Sequence, residues 1–342
     1  MMTSVLGRKS KRFRFGTLTF LNAALVWTVA SCSSPASPNS SDARLLVVNK
    51  GLSSLSIINP STMEELRTAP TGFSPHEVAV SPDGATAYVS DYGTNSNPGN
   101  TITVIDLASG TVSATINLGQ HTRPHGITVA ADGSIWVTTE GSGHVLQVDP
   151  ANGTIAKAVA TSQSVTHQVA VSQPLGRIFT ANIGSGSVTA VDATSGDVLG
   201  NIELGAGTEG IDVSPDGNFV YATNRSAGTL SEIDARTLSL VRTLAVGLFP
   251  IRVKVRPSGG EVLISNATGN EIAVVNLNSW TVERRIAVGN VPIGLLITPD
   301  DRMAYVANTQ SNTISVIDLQ SWSVVGEITS GSNPDGLAWV TP

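Results

Sequence analysis

The chain has 342 residues, of which 41% are hydrophobic and 13% charged, with a net charge of −6, five histidines and one cysteine. The acidic balance opposes a phosphate-binding surface and with it nucleic-acid binding. A single cysteine leaves no pair for a disulfide or a thiolate metal site.

The chain opens with Arg8, Lys9, Lys11, Arg12 and Arg14, then an apolar run from Phe15 to Val29 and the sequence V-A-S-C. A basic segment, a short apolar stretch and small residues before a break predict an export signal over residues 1–31, and the run is too short to favour a permanent membrane span. The V-A-S-C sequence resembles a bacterial lipobox, which implies that Cys32 is lipidated and becomes the mature N-terminus. An ordinary signal peptide with an incidental cysteine is the other reading. Residues 32–43, rich in Ser and Pro, then form a flexible tether. A Ser rather than an Asp after Cys32 implies the outer membrane of a double-membraned cell. Losing residues 1–31 removes five of the twenty basic residues and no acidic one, which moves the charge from −6 to −11.

From residue 44 onward the chain repeats. One strand start recurs at His76, His125, His167, Glu209, Ile251, Ile293 and Asp335, and the last five steps are 42 residues each. In the unit from Ile293, L-L-I-T reads as a first strand, P-D-D as its turn, A-Y-V-A-N as a second strand, T-I-S-V-I-D as a third and S-V-V-G-E-I as a fourth. Alternating apolar residues between Pro-Asp-Gly and Ser-Gly turns are the mark of strands, and 40 to 45 residues per four strands is the period of a propeller blade. Leu45–Asn49 and Leu55–Asn59 copy the second and third strands, whereas the matching first strand, D-G-L-A-W-V, lies at the C-terminus. The prediction is an all-β, seven-bladed propeller over residues 44–342, four antiparallel strands per blade. Its last blade is closed by three N-terminal strands and one C-terminal strand. Closure removes the sheet edges that promote aggregation. The expected state is a monomer.

The segments A-Y-V-A-N at Ala304–Asn308, V-Y-A-T-N at Val220–Asn224, V-I-D at Val316–Asp318 and P-H-G-I at Pro124–Ile127 resemble the YVTN family of β-propellers across residues 45–342. That resemblance implies the fold and an envelope location more than an activity. Related propellers hold copper, haem or quinone cofactors, but the chain has no C-x-x-C-H, no cysteines for a quinone cross-link and too few histidines for copper clusters.

In a radial repeat the packing demands are alike in each blade, so departures from the repeat point to function. Two positions depart. The strand start is His in blades one to three and Glu in blade four. The position fifteen residues later reads Asp91, Glu140, Asn182, Asn224, Asn266 and Asn308. An Asn there caps the turn into the third strand; blades one and two carry carboxylates instead. Without a bulge, His76 would face Asp91 and His125 would face Glu140 across the hairpin. Blade one is also longer, with an insertion from Tyr92 to Asn100 and another that carries His121 and Arg123. His144 follows in the corresponding loop of blade two. All five histidines are thus expected on one face, around the mouth of the central channel. They read either as structural hydrogen-bonding residues or as a ligand site.

Further along the channel, Arg252, Lys254 and Arg256 alternate along one strand and are expected on one face, with Asp212 as partner or with an anion between them. Trp280 and Trp322 are expected as packing caps on the opposite face.

Two functions follow. One is a lipid-anchored module that binds an envelope protein or a small ligand through the mouth lined by His76, His125, His167 and Glu209, with Asp91, Tyr92, His121, Arg123 and His144 as further ligand-binding residues and Arg252 and Lys254 deeper in. The other is an enzyme. Blade two, P-H-G-I-T-V-A-A-D-G-S-I-W-V-T-T-E-G-S-G-H-V, resembles a blade of the streptogramin lyases. This implies His125 and Glu140 as base and metal-associated acid and His144 or His167 as a second proton carrier, or a lactonase on the same residues. A divalent ion, magnesium or calcium, would then take oxygens of Asp91, Glu140 or Glu209.

Overall fold

The computed structural model describes residues 43–341; the expected signal peptide, Cys32 and the tether to Asp42 lie outside the described residues. The described chain is twenty-eight strands with no helix, β1 (Arg44–Asn49) to β28 (Pro334–Val340), in seven antiparallel sheets of four. The expected seven-bladed propeller is what the chain forms.

The first strands of the blades are β4 (Pro75–Val80), β8 (Pro124–Val129), β12 (Thr166–Ser172), β16 (Thr208–Val213), β20 (Pro250–Val255), β24 (Pro292–Ile297) and β28. Each touches the next, and β28 touches β4, so they form a closed inner ring around the channel. The seventh blade pairs β28 with β1, then with β2 (Ser54–Asn59) and β3 (Glu64–Pro70), which is the predicted closure by both ends of the propeller.

Strand alternation explains why seven small sheets make one stable body. In β1, Leu46 and Val48 pack with Val78, Val89 and Ile105 of blade one, whereas Leu45 and Val47 pack with Tyr305, Ile314 and Val316 of blade six. Successive side chains leave opposite faces of a strand, and in a blade both faces are interior. The middle strands therefore read as near-continuous apolar runs. Seven apolar clusters result, one at each junction between blades. The fourth strand is the outer edge and is largely exposed, as in β3.

One irregularity recurs at the start of the first strand of each blade. Each pairing of a first strand with a second shifts register beside the strand start, as between Pro75 and Val78 and between Pro124 and Ile127. A bulge leaves a backbone N–H out of the ladder, and a hydroxyl takes it up. Glu77 N donates to Ser90 Oγ at 3.1 Å, and that hydroxyl donates to the His125 carbonyl of the next blade at 2.7 Å. Thr138 repeats this between Gly126 N and the His167 carbonyl, as Thr223 and Ser265 do further round. These hydroxyls pin each bulged strand start to its neighbour and so set the positions of the channel side chains.

Candidate functional site

The bulge corrects the expected pairs. Pro75, not His76, stands opposite Asp91, and Asp91 turns away from the mouth. Its Oδ2 accepts from Thr101 and Thr103 hydroxyls at 2.7 and 2.8 Å, and its Oδ1 from Gly72 N at 2.9 Å. Asn49 makes the matching bonds to Ser54 and Ser56, and Asn308 to Thr313 and Ser315. Asp91 is therefore the structural Asn of its blade with a carboxylate in its place, and it is no ligand of the mouth. Burial pushes its carboxyl above the usual range against three hydrogen bonds.

Blade two departs differently. Its first turn is one residue shorter, joining Val129 to Ile135 where blade one joins Val80 to Ala87. The second strand slides by one, so Thr139 faces Pro124. Glu140 then takes the place that Tyr92 holds in blade one, one step beyond the structural Asn. Across the blades that place is filled by Tyr92, Glu140, Ile183, Arg225, Ala267, Thr309 and Lys50. It, rather than the Asn position, faces the strand starts. Arg225 Nη1 reaches Glu209 Oε2 at 2.9 Å, Lys50 Nζ reaches Asp335 Oδ2 at 3.0 Å, and the His76 and Tyr92 rings lie 4.5 Å apart.

The three strand-start imidazoles form a row, with ring centroids 4.5 Å apart from His76 to His125 and 3.7 Å from His125 to His167. Glu140 lies beside the row, its Oε2 accepting from Tyr92 Oη at 2.5 Å and its Oε1 bound to His167 Nδ1 at 2.5 Å. On the other side of the His167 ring, Nε2 is 3.6 Å from Glu209 Oε1. Tyr92, Glu140, His167, Glu209 and Arg225 thus form one polar chain over four blades. Glu140 meets His167 of the following blade more closely than His125 of its own.

Beneath this row, the residue after each strand start reads Glu77, Gly126, Gln168, Gly210, Arg252, Gly294 and Gly336. Four are glycines because the neighbouring backbone is too close for a side chain: a Cβ on Gly294 would stand 1.9 Å from the Asp335 carbonyl oxygen. The other three cross the channel. Gln168 Nε2 donates to Glu77 Oε1 at 2.7 Å and Arg252 Nη2 donates to the same oxygen at 2.5 Å. Arg252 also lies 3.9 Å from Glu209 and 4.0 Å from Asp335. Below this bridge is a cavity of about 270 Å³ whose wall includes Thr128, Asp212 and Lys254.

Burial sorts the charges. It drives His76 down to about 4, against the pull of Asp335, and drives His125 well below its ordinary value, helped by the neighbouring imidazoles and Arg252. Burial also opposes a charge on His167, but Glu140 and Glu209 outweigh it and raise the imidazole. Both carboxyls are correspondingly held low despite their burial. Tyr92 is pushed up to about 12 by burial and by Glu140, so its hydroxyl is a donor. Burial thus disfavours the charged form at His76 and His125, whereas the two flanking carboxylates favour it at His167.

The other expected residues fall elsewhere. His121 and His144 form a pair of their own, 4.7 Å apart between rings, and both bind Ser142. Arg123 lies 5.1 Å above the Tyr92 ring. Lys254 is 3.9 Å from Asp212. Arg256 does not share the face of Arg252 and Lys254; it lies beyond the end of β20 and binds Asp301 at 2.8 Å and Glu261 at 3.1 Å. Its guanidinium also stands over Trp322, as Arg242 does over Trp280. Lys50, Glu77, Gln168 and Arg225 escaped the sequence reading. Their signal was available one residue after each strand start and one step beyond the structural Asn of each blade, where long polar side chains interrupt small ones.

Among known proteins, residues 254–338 match the YNCE-like beta-propeller family and residues 131–249 match the Cytochrome D1 heme domain family. No curated protein matches. Solved structures with the same fold include hydrazine synthase of Kuenenia stuttgartiensis, 19% identical over 82% of this chain and 93% of that one, with a TM-score of 0.73. A functionally unknown protein of Desulfotomaculum acetoxidans is 16% identical over 87% and 99%, TM-score 0.75. Dihydro-heme d1 dehydrogenase NirN in complex with DHE is 14% identical over 88% and 76%, TM-score 0.61. At these identities the likeness is one of fold.

Proposed function

We propose that the protein is a small-ligand-binding module of the cell envelope, anchored through a lipid on Cys32, whose site is the channel mouth formed by His76, His125, His167 and Glu209. The observation that carries this reading is a convergence of buried polar atoms with unmade hydrogen bonds: His76 Nδ1, His167 Nε2, Arg252 Nη1 and Asp335 Oδ1. His76 Nδ1 is 3.4 Å from Asp335 Oδ2, the oxygen that accepts from Lys50, and lacks hydrogen-bond geometry to it. Such groups are costly unless something satisfies them, and here four meet at one place. The ligand is small and polar. The bridge from Arg252 to Glu77 closes the channel under the imidazoles, and the cavity beneath is smaller than the roughly 300 to 1,000 Å³ of ordinary ligand pockets. That cavity is too small to enclose a tetrapyrrole of the kind suggested by the Cytochrome D1 match.

The proximity of His125, Glu140 and His167 favours a second reading, a lyase or lactonase in which the Tyr92–Glu140–His167 chain moves a proton. Thermal-shift titration with small carboxylic acids, phosphate esters and lactones, run with a lactonase assay, tests both. Binding predicts that one class raises the melting temperature of the wild type and not of His76→Ala, with lactones intact. If no class does so, or the shift survives in His76→Ala, the mouth is not the site. Incorporation of labelled palmitate that is lost in Cys32→Ser tests the anchor.

A further inference from the structure

We propose that His125, Glu140 and His167 together bind one divalent transition-metal ion, of the zinc, cobalt or copper type, at the channel mouth; this rests on the mouth being the ligand site and names what it takes. Each of the three residues offers one donor atom, and the three donors lie within 4.8 Å of one another. Metal–ligand bonds to imidazole nitrogen and carboxylate oxygen are about 2.0 to 2.2 Å, so an ion between them needs only small side-chain movements. Two adjacent blades supply the donors from a rigid ring, His125 and Glu140 from the second and His167 from the third. The hydroxyl of Thr138 fixes the His167 backbone, and Ser90 fixes that of His125.

The donor chemistry decides the metal. Two imidazoles and one carboxylate suit borderline ions, whereas magnesium and calcium require a cage of oxygens. That cage is missing here. Asp91 is committed to Thr101, Thr103 and Gly72, and Glu209 is held by Arg225 at 2.9 Å and approached by Arg252 at 3.9 Å. The magnesium or calcium site built on Asp91, Glu140 and Glu209 does not form.

The surrounding groups are those that orient metal ligands. Carboxylate ligands are commonly hydrogen-bonded and ligating imidazoles commonly give their other N–H to a carboxylate. Tyr92 donates to Glu140, and Glu209 stands 3.6 Å from His167 Nε2, a buried atom with no hydrogen-bond partner. The ion would take the place of the hydrogen bond between His167 Nδ1 and Glu140 Oε1. One proton leaves for each ion bound, Glu140 remains a carboxylate, and Glu209 accepts the His167 Nε2–H. No electrons move.

The test uses the propeller with no polyhistidine tag, titrated with cobalt(II) and followed by its visible absorption, and with zinc by calorimetry. One equivalent is expected. His125→Ala and Glu140→Gln should each weaken it at least ~10-fold to 100-fold, and Glu209→Gln about 10-fold. His121→Ala and His144→Ala, which alter the separate histidine pair, should bind as the wild type does. Circular dichroism establishes that each variant is folded. A second readout needs no variant: bound cobalt should broaden the imidazole proton resonances of His125 and His167 and spare those of His121 and His144. Absence of stoichiometric binding, or binding lost in His121→Ala and kept in His125→Ala, overturns the proposal. A metal-free protein that still binds an organic ligand through His76 would sink the metal site and leave the ligand-binding reading standing.

Discussion

Arg252 in the fifth blade donates to Glu77 in the first at 2.5 Å, across the channel and 175 residues away in the chain. The guanidinium is buried and has carboxylates of three blades around it, Glu77, Glu209 and Asp335. Such an ion cluster holds together only as a set.

Removal of Arg252 leaves Glu77 with no cation, although Arg225 still holds Glu209 and Lys50 still holds Asp335, and breaking a buried pair typically costs about 3 to 5 kcal/mol. Arg252→Met should therefore lower the urea midpoint sharply. Arg252→Met combined with Glu77→Gln should recover much of the loss, because the stranded carboxylate is then gone. A double variant no more stable than the single one would show that Arg252 acts by packing alone.

Asp91→Asn should stabilise the protein at neutral pH by about 1 kcal/mol, the ordinary scale of a buried hydrogen-bonding change. Asparagine restores the bonding seen at Asn49 and Asn308 without a buried charge. The sign follows from the raised folded-state value: the native protein holds the Asp91 proton more tightly than the unfolded chain, so wild-type stability falls as pH rises from the ordinary carboxylate value of 3.8 through the raised one. The gain from Asn should be complete at pH 7 and fade below that window, as read from melting temperature against pH.

The site was legible in kind and misplaced by one residue. The 42-residue spacing revealed the blades because each repeats the same burial. It could not reveal the bulge at each strand start, which depends on a hydroxyl from the second strand taking a displaced N–H. Nor could it reveal the short turn that slides Glu140 out of line with Asp91. The pairing of strand starts with the second strand exists, as Glu209 with Arg225 and Asp335 with Lys50 show. From Glu209 to Arg225 it lies at sixteen residues rather than fifteen, and Lys50 holds the same place, one residue after Asn49, in the blade closed by both ends of the propeller. Glu77 and Gln168 were missed because contacts across the channel join blades that no local pattern relates.

Acid should loosen the mouth. His76 sits among Asp335, Lys50, Tyr92 and His125 with its value brought from 6.5 down to about 4, chiefly by burial. A lowered imidazole gives stability that is complete above 6.5 and is lost as pH falls towards 4, roughly 3 kcal/mol for a shift of that size. His76→Phe should flatten the stability profile in that window. An unchanged acid limb would assign the sensitivity to other groups.

Two glycines separate close approach from mere flexibility. Gly294→Ala places a methyl 1.9 Å from the Asp335 carbonyl oxygen and should cost about 1 to 3 kcal/mol, as overpacking does. Gly260→Ala meets nothing within 4 Å and should be neutral or stabilising by about 0.4 to 1 kcal/mol. Thermal melts of the two variants should move in opposite directions or by clearly different amounts.

Six blades are continuous stretches of chain, but the seventh waits for residues 334–340 to pair with β1. During synthesis the first six sheets can assemble in the order in which they are made, while the earliest strands stand ready and incomplete. Asp335 arrives on that last strand and brings the carboxylate that holds Lys50 and lies beside His76 and Arg252. The circle and the polar cluster at its centre are thus finished by the same few residues, and a nascent chain stopped short of them lacks both.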